Sequence, residues 1–148
     1  MIVTEFAKYA HALKYKDLPP PVVAKAKTCI LDLLGVSVGS YGHANGKVAA
    51  KTAAKTGARG RARVWMTGEK LRAQDAVLAN SVASHCILQD DWLQVSHSHI
   101  GAAVVPTVLA MAEENQRNGK DVIAATVAAG TARFAVPVRL SGFTRSFT

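Results

Sequence analysis

Apolar residues in this chain recur every three to four positions and come mainly from Ala, Val and Leu, a pattern suited to helices packed closely together. Only 6% of the 148 residues are aromatic, so a sheet built from large β-formers is not expected. With 49% hydrophobic residues and a slightly positive mean hydropathy, the chain can bury a real core. The expectation is an all-α fold of about six helices, forming a single helical domain over residues 1–148.

Ile2, Phe6, Tyr9 and Leu13 set a first helix, ended by Asp17-Leu18 and three prolines that also start the second. Val22, Ala26, Ile30, Leu33 and Ser37 follow one face of that second helix, and Gly39-Ser40-Tyr41-Gly42 closes it. A third helix is predicted over Asn45 to Thr56, stopped by Gly57 and Gly60. Arg61 to Met66 alternates loosely before Thr67-Gly68, which predicts a short extended segment and at most one hairpin. A fourth helix from Leu71 places Gln74, Leu78, Val82 and His85 on one face and continues to about Asp91. The fifth starts or kinks between Ile100 and Pro106 and buries Val108, Leu109 and Ala112. Glu113 to Gly119 reads as a polar connection. Asp121 then caps a sixth helix with the face Ile123, Val127, Gly130 and Phe134, which Pro137 should end. That last helix is apolar or small on most sides, so a partner chain or a second copy is expected to cover it.

The net charge is +8, and no acid separates Asp32 from Glu69, where Lys47, Lys51, Lys55 and Arg59 recur every four residues. On a helix these form a basic stripe, either a solvated face or a track for anions. Stacking aromatics are missing from it, so nucleic-acid binding is the weakest reading. Val122 to Leu140 is interrupted by Arg133, Pro137 and Arg139, so no membrane span is expected. The N-terminus shows no secretory pattern, and Cys29 and Cys86 sit in apolar helical stretches as buried reduced thiols. A cytoplasmic location follows as an expectation.

Titratable groups concentrate between His85 and Pro106, where three of the five histidines join the adjacent Asp90 and Asp91. Such groups serve proton transfer or metal ligation. His85 shares a face with Leu78 and Val82, which also fits a core histidine. Asp90 and Asp91, read as ending the fourth helix, oppose its dipole there. His97 and His99 alternate on an extended segment and can chelate a metal together with His85 and an aspartate. No recurrent ligand spacing is present, so neither a metal nor a cofactor is expected. His99 just before a helix start is favoured as a neutral, proton-accepting imidazole. Phosphate-cradling loops, dinucleotide glycines and nucleophile elbows are absent, which leaves hydride and phosphoryl transfer without support.

Several ordered segments resemble the N-terminal part of the MmgE/PrpD family. They include Ile30-Leu31-Asp32-Leu33-Leu34-Gly35, Val64-Trp65, Ala76 to Asn80 leading into Ser84-His85, Asp90-Asp91, His99-Ile100-Gly101-Ala102-Ala103-Val104-Val105-Pro106 and Gly119-Lys120-Asp121. The resemblance runs from residue 1 to about 135. It implies part of a large helical domain, usually dimeric, and proton abstraction beside a carboxylate in a small di- or tricarboxylic acid without a metal. It also implies His99, Asp90 and Asp91 as catalytic residues, with His85, Trp92 and His97 contacting substrate. The chain departs from the family's pattern at Leu88, where an acid is usual, at Trp92, where Thr or Ser is usual, and at Ile100, where Pro is usual. The family's lid domain and catalytic lysine lie beyond the matched part, so a truncated form needing a complementary chain is expected. Two functions stay open: a dehydratase-like lyase or isomerase acting on a small anionic carboxylate, and a non-catalytic helical binding or oligomerisation module derived from that family.

Overall fold

The computed structural model describes the backbone of residues 2–94 and 97–140, and the surroundings of side chains over 4–94 and 97–131. Six helices and one hairpin follow in order: α1 (Ile2–Ala12), α2 (Pro20–Gly39), α3 (Ala44–Thr56), β1 (Arg59–Arg63), β2 (Lys70–Leu71), α4 (Ala73–His85), α5 (Gly101–Glu114) and α6 (Gly119–Leu140). A single 3-10 turn at Tyr15–Asp17 links α1 to the prolines that begin α2. The fold is mainly α, with one antiparallel pair between β1 and β2.

α4 is the central element, packed against α3 on one side and α5 on the other. Its buried residues are Ala73, Ala76, Ala79, Asn80, Ala83 and Ser84, whereas Leu78 is 57% exposed. The face expected from Leu78, Val82 and His85 is therefore the outer one. Small side chains let neighbouring helix axes approach, and the larger leucine is left outside that close contact. The main core joins these alanines to Ala50 and Ala53 of α3, Ala62, Val64 and Leu71 of the hairpin, and Ala110 of α5. A second cluster of Leu33, Ala102 and Val105 seats α2 against the start of α5.

Close packing brings polar groups together as well. Between α2 and α4 the buried Ser37 and Ser84 hydroxyls meet at 3.0 Å, and Ser40 donates to the Ala83 carbonyl at 2.6 Å. Each buried hydroxyl thereby finds a partner, as the desolvation cost of an unpaired one requires. The end of β1 is secured in the same way. Asn80 donates from Nδ2 to the Arg63 carbonyl at 2.8 Å, and its Oδ1 accepts the Trp65 amide at 2.9 Å. On the other edge, Glu113 and Glu114 accept the Arg63 and Arg61 amides. These two acids belong to α5, not to a loose polar connection, because satisfying an open strand edge holds them in the last helical turn.

Other boundaries also differ from the sequence reading. Asn118, not Asp121, caps α6, accepting the Lys120 and Asp121 amides at 2.9 and 3.1 Å. The helix continues through Pro137 to Leu140, since one missing amide removes one bond without ending a helix outright. Within α5, Pro106 is likewise tolerated and buried. Ala112 is buried as expected, but Val108 and Leu109 are only half-buried, and the deepest residues are Val105, Pro106 and Ala110. Cys29 is exposed and Cys86 half-buried, so the expectation of two buried thiols fails for Cys29, which α2 turns outward. Lys47, Lys51, Lys55 and Arg59 all lie exposed. No helix among the described residues is long and apolar enough to cross a membrane.

The Asn80 clamp should be visible in stability. Asn80→Ala leaves the Arg63 carbonyl and Trp65 amide unpaired and should lower the unfolding free energy by about 1–3 kcal/mol. Gln74→Ala, on the exposed side of the same helix, should change it by less than about 0.5 kcal/mol in the same urea titration.

Candidate active site

α4 ends at His85, six residues sooner than the sequence pattern suggests. Cys86 keeps a helical backbone, but Leu88 takes φ 53°, in the left-handed region, and its amide donates to the His85 carbonyl at 3.2 Å. That turn reverses the chain and returns Asp90 to the side of His85. Neither aspartate stands at the C-terminal end of α4, so the unfavourable dipole expected there does not arise.

Asp91 meets the opposite pole of a different helix. Its Oδ1 accepts the Gly101 amide at 2.7 Å, at the N-terminus of α5, where a negative charge is stabilised. Ile100, the residue before α5, has no side chain able to cap it, and Asp91 supplies that function from ten residues upstream. Gly101 makes the approach possible, because a Cβ at this position would collide with the Asp91 carboxylate. An expected acid of the reaction is thus engaged in holding the loop to the helix.

Asp90 is placed differently. Its side chain is completely buried and lies between two imidazoles. His85 Nδ1 is 2.9 and 3.1 Å from its two oxygens, and His99 Nδ1 is 3.2 Å from Oδ1. The two rings meet edge to face with centroids 4.7 Å apart. The His85 contacts are hydrogen bonds; the His99 nitrogen, although buried and within reach, is not aligned with the oxygen and has no hydrogen-bond partner. His85 itself is not a core residue, since 46% of its side chain is exposed, against 24% for His99.

The loop between these residues is pinched by a bridge in which Leu93 and Ser98 exchange backbone hydrogen bonds at 2.9 and 3.3 Å. Trp92 and His99 flank this pair and meet edge to face at 5.0 Å. His97, at φ 47°, touches the opposite partner of this stack: its ring lies 5.6 Å from Trp92. The structure therefore brings His85, Asp90 and His99 together, sets Trp92 against His99, and leaves His97 on the exposed side of the tryptophan. Alternation along an extended segment does not unite His97 with His99, because His97 is not extended. Trp92 is 54% exposed and Leu88 67%, so two of the three family departures lie at the surface of the loop that carries the trio, while Ile100 is buried.

The capping role of Asp91 was hidden from local sequence reading, since its partner lies ten positions away. The glycine at the start of the fifth helix is the one signal pointing to it.

Comparison with known families gives a match to the MmgE/PrpD N-terminal domain over residues 4–137. No curated protein and no solved structure matches the chain.

The division of labour between the two aspartates can be measured. Asp91→Ala should destabilise the chain by about 1 kcal/mol, as loss of an N-terminal cap does, while Asp91→Asn retains an acceptor and should recover most of that loss in chemical denaturation.

Proposed function

Because the chain belongs to the MmgE/PrpD family, as its match over residues 4–137 shows, we propose that it serves a lyase or isomerase reaction begun by proton abstraction next to a carboxylate. In this reading the His99 imidazole is the base. The substrate C–H bond breaks, its proton passes to the imidazole, and the electron pair is stabilised by the adjacent carboxyl group. Expulsion of β-hydroxide, leaving as water once protonated, completes a dehydration; return of the proton to the other face completes an epimerisation.

The observation that carries the reading is the buried Asp90 carboxylate set between His85 and His99. A carboxylate beside one nitrogen of an imidazole orients the ring and stabilises the cation formed when the other nitrogen takes a proton. The His99 nitrogen requires only a small ring rotation to bond Asp90, and such bonds commonly tighten when substrate is present. Asp91 supports the site from the helix start and makes no contact with the imidazoles that would give it a proton-transfer role.

The substrate class that best suits the family is a small di- or tricarboxylic acid, and the net charge of +8 favours an anion in general. Leu88 and Trp92, both exposed on the site loop, supply apolar surface where the family usually has polar groups. That surface suits a substrate with less polar functionality at that end. The lid and lysine that the family uses lie outside the matched N-terminal domain and complete the site in this reading. The reaction takes place in the cytoplasm.

A second reading is favoured by one observation: Leu31 and Val38, seven residues apart on α2, are 72% and 76% exposed. Two turns of helix presenting bare aliphatic surface suit an oligomerisation module. The alternative route through the end of α6 rests on side chains after Thr131, outside the described ones. Light scattering should then report an oligomer, and Leu31→Lys with Val38→Lys should convert it to monomer; a monomeric wild type would remove this reading.

For the catalytic reading, the chain, alone or with a complementary chain, should exchange solvent deuterium into citrate-like acids. His99→Ala should abolish the exchange, and Asp90→Asn should slow it by about 10²–10⁴-fold, the usual worth of a positioned proton-transfer group. Absence of exchange in the wild-type assembly would refute it.

A further inference from the structure

His85, Asp90 and His99 each present one ligand atom, and the three atoms lie within 4.8 Å of one another. We propose that they form a binding site for a divalent transition-metal ion of the zinc class. The inference goes beyond proton transfer and does not depend on it.

Three features of the cluster support an ion. First, two imidazole nitrogens and a carboxylate are the donor set that zinc, cobalt and iron(II) take, with remaining positions left open for water or a ligand. Second, the spacings suit a shared ion: donors bound to zinc stand about 3.3 Å apart in a tetrahedral site, and the nitrogens lie 2.9 and 3.2 Å from the Asp90 oxygens. Closing the wider gap requires a rotation of the half-exposed His85 side chain. Third, the electrostatics are incomplete without one. The Asp90 side chain has no exposure, and among the described residues its hydrogen bonds come from His85 alone. His99 Nδ1 is buried close by with no hydrogen-bond partner. Protonation of His85 would neutralise the carboxylate, but His99 Nδ1 would still need a ring rotation to bond it. A dication accepting a lone pair from each nitrogen and from the carboxylate satisfies all three.

The sequence offered more ligands than the site uses. Read along the chain, the candidate ligands were His85, Asp90 or Asp91, His97 and His99; the fold keeps His85, Asp90 and His99, sets His97 apart and removes Asp91 to the start of α5. The resulting spacing, His85, Asp90 and His99, matches no short ligand motif because a reversed turn and a pinched loop make it.

Metal bound through His99 Nδ1 removes that imidazole from proton transfer, since its lone pair is engaged and the remaining nitrogen carries a proton. The ion would therefore inhibit any deuterium exchange catalysed by His99, and chelator would restore it.

The test uses the full untagged chain, stripped with chelator and titrated with Co²⁺. One equivalent should bind with the visible absorption bands of low-coordinate cobalt, and Zn²⁺ should displace it. His85→Ala and Asp90→Asn should each weaken binding by at least about tenfold, while His97→Ala should leave it unchanged. His85 is half-exposed, so its variant keeps the fold even where Asp90→Asn does not; circular dichroism verifies this. Wild-type protein that gives no cobalt spectrum at millimolar metal overturns the proposal. So does binding that survives His85→Ala but is lost in His97→Ala. These readouts need no substrate, so a failed exchange assay leaves the metal result standing, and the reverse holds equally.

Discussion

The site is arranged around one hydrogen bond, from the Gly101 amide to the Asp91 carboxylate. It fastens the early part of the loop that begins after α4 to the first turn of α5. With that attachment in place, the Leu93–Ser98 bridge can close and His99 is presented immediately before the helix. The bond is favourable twice over, satisfying a helix-terminal amide and placing negative charge at the positive end of the helix dipole. It also explains the glycine, since any side chain at position 101 would occupy the space of the carboxylate.

Two chemically identical neighbours thus acquire opposite environments. Asp91 remains exposed and is consumed by a backbone amide; Asp90 is fully buried and faces imidazoles. Burial of a carboxylate carries a desolvation cost of several kcal/mol unless charge or hydrogen bonds compensate it. The chain places the means of compensation next to it in the form of two histidines from different ends of the loop. A proton on one imidazole and a metal ion between all three groups are two ways of supplying positive charge to the same buried acid. The proton-transfer reading and the metal reading therefore share an electrostatic origin and differ in which cation is present.

The scaffold beneath the site depends on small residues. Ala73, Ala76, Ala79 and Ala83 bring α4 close to its neighbours, and buried serines cross the α2–α4 contact with their hydroxyls paired. Sequence reading located the helices because their three-to-four spacing and the Pro and Gly interruptions are local properties. It selected the wrong face of α4 because it weighted Leu78 and Val82 by hydrophobic size, whereas close axial approach favours alanine. The same limitation applied to Glu113 and Glu114: their polarity suggested a loop, and only the nearby strand edge explains their place in α5.

Sequence alone determined the helical character, a limit of one short hairpin, the family and the stretch of chain where ionisable groups gather, since each of these is encoded in local spacing or in an ordered series of motifs. Tertiary structure alone decided which members of that stretch lie together. His85 and His99 are fourteen positions apart and meet only because Leu88 turns the chain back and Asp91 anchors it to α5. His97 and Asp91, within two positions of His99 and Asp90, are excluded by backbone direction and by a competing hydrogen bond. Those outcomes depend on contacts between distant residues, which no local pattern of side chains contains.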